Sequence, residues 1–163
     1  MQAIRAYVQQ AGAEQLTAEL GSGAADIAEI VPEVRGKLPG LETPRGLEPG
    51  QAGFRLFDSI TTFLKNAAQR QPLMLVLDDL HWADRSSLLL LEFLAREIGT
   101  SRLLRVCSYR DAEVSRRHPW SQTLGALVRE QLFHRVQLDG LTQLAQSVMQ
   151  PAMRAKVRAL ISQ

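Results

Sequence analysis

Apolar positions along the first third of the chain recur every three or four residues, the spacing of one face of a helix. Ile4, Val8, Leu16 and Leu20 carry that spacing over residues 2–20, with a break near Gly12. Gly21-Ser22-Gly23 reads as a turn, and Ile27, Ile30 and Val31 mark a helix near residues 24–30. Pro32 suits the first turn of a further short helix through Leu38. Residues 36–53 are rich in Gly and Pro and poor in large apolar side chains, so a loop is expected. From Gln51 to Arg70 the helical pattern returns, with Phe54, Phe57, Ile60, Phe63 and Leu64 predicting one buried face.

The pattern then changes. Leu73-Met74-Leu75-Val76-Leu77 is a continuous apolar run, too short for a typical helix and without alternation. That predicts a strand covered on both faces, as in a parallel sheet. A Leu-rich helix over Ser87–Ile98 follows, capped by Asp84 or Ser86, apolar nearly all round at its start, with Gly99 as a left-handed stop. Leu103–Tyr109 is the next strand, and Arg105 within it hints at a partly open face. A helix is expected from His118 to about Gln131 and a short strand at Phe133–Leu138. Thr142 would cap a last helix, and Met153, Val157, Leu160 and Ile161 share a face after Pro151. Strands alternating with helices predict an α/β fold with parallel strands near 73–78, 103–109 and 134–138, joined by right-handed crossovers.

Composition changes this picture little. The 163 residues are 45% apolar and 22% charged, with a net charge of +2, as expected for one globular domain. Arg residues are scattered, with no dense basic block, so a solvated surface is expected rather than a nucleic-acid interface. The single Cys107 cannot form an internal disulfide and lies in an apolar strand, where a small core residue is expected. No apolar run approaches the length of a membrane span, and the N-terminus has no signal architecture, so a cytoplasmic protein is expected. His81, His118 and His134 are widely separated and, with one Cys, build no zinc site. No nucleophile elbow and no helix-turn-helix is present.

The candidate chemistry lies where the first strand ends. In parallel sheets ligands collect at the carboxyl ends of strands, and here the apolar run stops at Asp78-Asp79. An apolar run followed by two acids is the Walker B pattern of nucleotide hydrolases. The plainer alternative is a buried strand ending in an acidic turn that caps the next helix. His81 and Trp82 follow in the turn; both could line a pocket, and packing is the expected role of Trp82.

The string Leu73 to Asp84 (LMLVLDDLHWAD), the Leu-rich helix, and the second strand ending in Ser108-Tyr109-Arg110-Asp111 together resemble one family. The chain is similar, over roughly Ala3 to Thr142, to the Orc-like AAA ATPase module of STAND-type regulators. These include LuxR-type and MalT-like transcription activators. The resemblance implies a truncated P-loop NTPase of the AAA/STAND, ASCE type: a three-layer sandwich with a partial parallel sheet flanked by helices. It divides the chain into a helical segment and loop at 1–50, a partial AAA core at 51–142 and a helical tail at 143–163.

The resemblance also implies the site. Asp78 would hold Mg²⁺, Asp79 would act catalytically by polarising the attacking water, and Arg110, at the sensor 1 position, would bind the γ-phosphate of ATP. A guanidinium suits that role because it is always charged and forks onto phosphate oxygens. A surface Arg110 paired with Asp111 or Glu113 is the alternative. The family's phosphate loop, GxxxxGK[ST], does not occur; Gly21-Ser22-Gly23-Ala24-Ala25 has no Lys and does not replace it.

The expectation is therefore the C-terminal part of an ATP-binding AAA/STAND module, carrying Walker B and sensor 1. Alone it should bind ATP and Mg²⁺ weakly or not at all, because most phosphate contacts come from the phosphate loop. Another chain or an upstream segment would supply that loop, with no nucleic acid or membrane contact through this segment. The alternative is a non-catalytic remnant used for packing or protein interaction. In the family's sheet order, 5-1-4-3-2, the phosphate-loop strand separates the fourth and fifth strands. Either Phe133–Leu138 pairs directly with Leu103–Tyr109, or the latter keeps an unpaired apolar edge and leaves the protein marginally stable or prone to aggregate.

Overall fold

The computed structural model describes residues 2–42, 49–99, 101–130 and 133–138. The chain divides into two compact units, Met1–Leu132 and Phe133–Gln163.

The first unit opens with four helices: α1 (Gln2–Gln10), α2 (Ala13–Leu20), α3 (Ala24–Ile30) and α4 (Glu33–Lys37). Their apolar stripes meet in one core: Val8, Leu16, Leu20, Ile27, Val31 and Val34 are fully buried. The break between α1 and α2 falls at Gly12, and Gly21 ends α2 with φ at +51°, a conformation that costs a glycine little. Gly21–Gly23 forms a single 3₁₀ turn. Gly23 there lies so close to α5 (Pro49–Arg70) that an added Cβ would meet the Ser59 Cβ at 2.7 Å.

One buried acid was not anticipated. Glu19 on α2 is 1% exposed. The Tyr7 hydroxyl donates to it at 2.8 Å and the Gln15 amide at 3.0 Å, while Arg70 Nε stands 3.7 Å away. A buried carboxylate is tolerated when its oxygens are engaged in this way. Burial, and then the Glu19 carboxylate, raise the Tyr7 phenol above its ordinary pKa.

Helix α5 begins at Pro49, inside the stretch expected to be loop. It buries Ile60, Phe63 and Leu64 in the same core. Phe54 is exposed at the helix start, its ring edge-on to Phe93 at 5.3 Å.

Strand β1 (Leu73–Leu77) pairs in parallel with β2 (Leu103–Cys107), in register from Leu73↔Leu103 to Leu77↔Cys107. Helix α6 (Arg85–Glu97) connects them, completing a β-α-β unit. Asp84 is its N-cap: one carboxylate oxygen accepts from the Ser87 backbone N–H at 2.9 Å. Leu88, Leu91 and Leu94 are buried while Leu89 is exposed, so α6 is one-faced rather than covered all round. It ends at Ile98 without a left-handed Gly99. Helix α7 (Pro119–Leu127) follows β2, shorter than expected, with His118 Nδ1 accepting the Trp120 N–H at 3.2 Å. Trp120 is buried, and its ring centroid lies 5.2 Å from that of Tyr109.

Strand side chains alternate between faces, and here the two faces differ. Leu73, Leu75 and Leu103 pack on the helical core. Met74, Val76, Leu104 and Val106 point the other way and are 65, 57, 59 and 42% exposed. Both-sided cover is therefore not found among the described residues; a continuous apolar run says what a strand can bury, not what is there to cover it. Cys107, expected in the core, is exposed at the end of β2. The expected third strand is also corrected: Phe133–Leu138 carries no strand pairing. A strand exists only through ladder bonds to a neighbour, and among the described residues the sheet is β1-β2 alone. The expected caps and helix after residue 138 lie outside the described residues.

Candidate functional site

The carboxyl ends of β1 and β2 meet at Ser108. In a regular parallel ladder, Ser108 would accept from Leu77 plus two, which is Asp79. The structure inserts one more residue. Ser108 N–H donates to the Leu77 carbonyl at 2.9 Å, but its own carbonyl receives the N–H of Leu80, also at 2.9 Å. Asp79 is thus the extra residue of a bulge, a device that re-aims side chains at strand ends. It takes φ +55° and ψ +44°, the left-handed region. Asp79 is also the sole non-glycine residue with positive φ among the described residues. Asp tolerates this conformation better than most residues, at a cost in strain.

The Ser108 side chain closes the bulge. Its hydroxyl donates to the Asp78 carboxylate and accepts the Asp79 backbone N–H at 3.2 Å. Asp78 is thereby tied to the neighbouring strand, while Asp79 projects beside His81 and Arg110.

Of the two turn residues, Trp82 does not take the packing role expected of it. His81 is 5% exposed and packs the turn, whereas Trp82 is 77% exposed. His81 Nδ1 accepts the Arg110 backbone N–H at 3.4 Å, which places any single ring proton on Nε2. Nε2 is buried without a hydrogen bond. It faces two carboxylates, Glu113 at 3.2 Å and Asp79 at 3.8 Å.

Arg110 lies at the same end, with its side chain 66% exposed. Its Nη1 donates to Glu113 Oε1 at 2.9 Å, and its Nε stands 3.9 Å from Asp79 Oδ1. The Glu113 carboxylate first, and Asp79 further off, push the Arg110 pKa up. The structure thus brings Asp78, Asp79, His81 and Arg110 together, pairs the exposed Arg110 with Glu113 as the alternative reading had it, and adds Ser108. The signal for Ser108 in the sequence was slight: a small hydroxyl residue where the second apolar run stops. Glu113 is delivered by a 3₁₀ turn, Asp111–Glu113, that folds its carboxylate back over the third residue before it.

Two exposed carboxylates suit a cation that keeps most of its water and takes its other ligands from phosphate, as Mg²⁺ does. They do not suit one held by protein alone. No group of three or more His, Cys, Asp and Glu among the described residues could hold a metal ion. No helix of the described residues is long and apolar enough to cross a membrane.

A family model described as AAA ATPase domain matches residues 1–107. The match takes in Asp78, Asp79 and His81 and stops one residue before Ser108. No curated protein and no solved structure matches the chain.

Proposed function

The chain belongs to the AAA ATPase domain family, and on that premise we propose that the meeting point of β1 and β2 is the acidic, phosphate-reading half of a nucleotide site. In this reading Asp78 holds hydrated Mg²⁺ and Asp79 polarises the attacking water. Arg110 reaches the γ-phosphate of ATP as sensor 1. When bound, Mg²⁺ would neutralise charge on the β- and γ-phosphates. The observation that carries the reading is the joint placement of Asp78, Asp79 and Arg110 at the carboxyl ends of adjacent parallel strands. The bulge at Asp79 supports it, since strained non-glycine residues cluster at functional sites. The setting we infer is a STAND-type signalling or transcriptional regulator in the cytoplasm.

The phosphate cradle would come from a segment outside these 163 residues, on the same polypeptide or on another, because none of them reads GxxxxGK[ST]. By itself this chain should therefore grip nucleotide poorly. Millimolar Mg·ATP should shift the backbone amide resonances of residues 77–80 and 108–110. Asp78→Asn or Arg110→Ala should abolish those shifts. Shifts confined to other regions, or unchanged in both variants, would sink the reading. Turnover should not be measurable, and ATP hydrolysis that vanishes in Asp79→Asn would contradict the dependence on an external cradle.

A second reading is favoured by one observation. Met74, Val76, Leu104 and Val106 form an apolar, solvent-facing sheet surface. Such a surface suits a non-catalytic packing or interaction domain. Absence of any Mg·ATP response together with self-association lost in Val76→Lys would favour it over the nucleotide site.

A further inference from the structure

The ion pair that occupies Arg110 has a second close neighbour. Glu113 Oε1 accepts from Arg110 Nη1 at 2.9 Å, while Oε2 lies 3.2 Å from Nε2 of the buried His81. His81 is in turn fixed through Nδ1 to the Arg110 backbone N–H. The carboxylate is therefore not a loose surface partner of the guanidinium. Its far oxygen lies against a buried ring that the same strand end positions. Arg110 and Glu113 remain 66 and 37% exposed, so a ligand in solution can reach both.

We propose that Glu113 is a built-in competitor for polyphosphate on Arg110, standing where a phosphate oxygen would bind, with His81 as its positioning residue. The proposal rests on the reading of Arg110 as a phosphate contact. The physics is competition for one position: a guanidinium presents its N–H groups to carboxylate or phosphate oxygens alike, and two anions cannot occupy the same place against Nη1. Contact with the buried His81 ring restricts Glu113 beforehand and so spares it part of the entropy that a free side chain loses on pairing. The arrangement would set a threshold of affinity, released only by a ligand that offers Arg110 more than one carboxylate does. Asp79 Oδ1, 3.9 Å from Arg110 Nε, is the nearest other anion and is too far to replace Glu113 by hydrogen bonding.

The test uses inorganic tripolyphosphate at low ionic strength, with binding read by calorimetry and by the Arg110 Nε–H resonance. Glu113→Gln should bind about three- to fivefold more tightly than the parent chain, the range for relieving an exposed ion pair. His81→Gln should give a smaller gain in the same direction. Glu97→Gln makes the same charge change on α6, outside the site, and should leave affinity unchanged; circular dichroism checks that each variant is folded. An equal gain in Glu97→Gln and Glu113→Gln would overturn the proposal, as would no gain in Glu113→Gln while Arg110→Gln still weakens binding. In that last case Arg110 remains a phosphate contact. Binding that is absent throughout, or indifferent to Arg110→Gln, would sink the phosphate reading itself and the proposal with it.

Discussion

The Ser108 hydroxyl donates to the Asp78 carboxylate and so ties the end of β1 to the end of β2. The same oxygen accepts the Asp79 N–H, the one amide that the bulge removes from the ladder. Ser108→Ala should cost about 0.5–1.5 kcal/mol in urea unfolding, the usual worth of such a bond at an exposed site. Hydrogen exchange at the Asp79 amide should quicken. Ser108→Thr keeps the hydroxyl and should restore slow exchange; equal exchange in all three proteins would show that the bridge does not hold the bulge.

Asp79 adopts its left-handed conformation with a side chain that tolerates it. Asp79→Gly should change stability by less than about 0.5 kcal/mol, because relief of backbone strain offsets glycine's larger entropy loss. Asp79→Ile should cost about 2 kcal/mol, since a β-branched residue is strongly disfavoured there. Thermal melts of the two variants that coincide would argue against the bulge.

Asp84 accepts both the backbone N–H and the hydroxyl of Ser87 at the start of α6. The backbone bond first, then the hydroxyl, hold its carboxyl below the ordinary range. A carboxyl lowered in the folded state contributes stability that is fully present above its unfolded pKa of about 3.9 and is lost as pH falls through the lower folded value. Asp84→Ala should cost about 1 kcal/mol at neutral pH, and the difference from the parent chain should shrink in melts taken progressively below pH 4. A pH-independent difference would remove the carboxylate from the explanation.

The two faces of β1 should respond oppositely to substitution. Leu75 packs on the core, so Leu75→Ala should cost about 2 kcal/mol. Val76 faces solvent, so Val76→Thr should stay within about 0.5 kcal/mol. Val76→Lys should also reduce self-association, by charging the apolar sheet surface. Sedimentation and urea unfolding of these variants check both expectations, and a large loss at Val76 would mean that the outer face is covered.

The chain's own pattern determined, in outline, the helices described up to Leu127 and the two apolar strands, and it narrowed the α6 cap to Asp84 or Ser86. It did so because helix periodicity, capping chemistry and the length of an apolar run are local properties that short segments express by themselves. The alternation of strand, helix and strand also anticipated the parallel pairing that places Asp78-Asp79 beside the end of β2. The tertiary structure decided what depends on neighbours distant in sequence. Leu73–Leu77 is apolar on both faces, and only the packing of helices selected Leu73 and Leu75 as the inner one. Phe133–Leu138 has the composition of a short strand but no ladder, because pairing needs a second backbone that composition does not supply. His81 is buried and Trp82 exposed in the turn that follows the Asp79 bulge, against the order of their hydrophobicity. Ser108 joined the site through a hydrogen bond that only the meeting of the strand ends creates, whereas Glu113 reached Arg110 through the local 3₁₀ turn that follows β2.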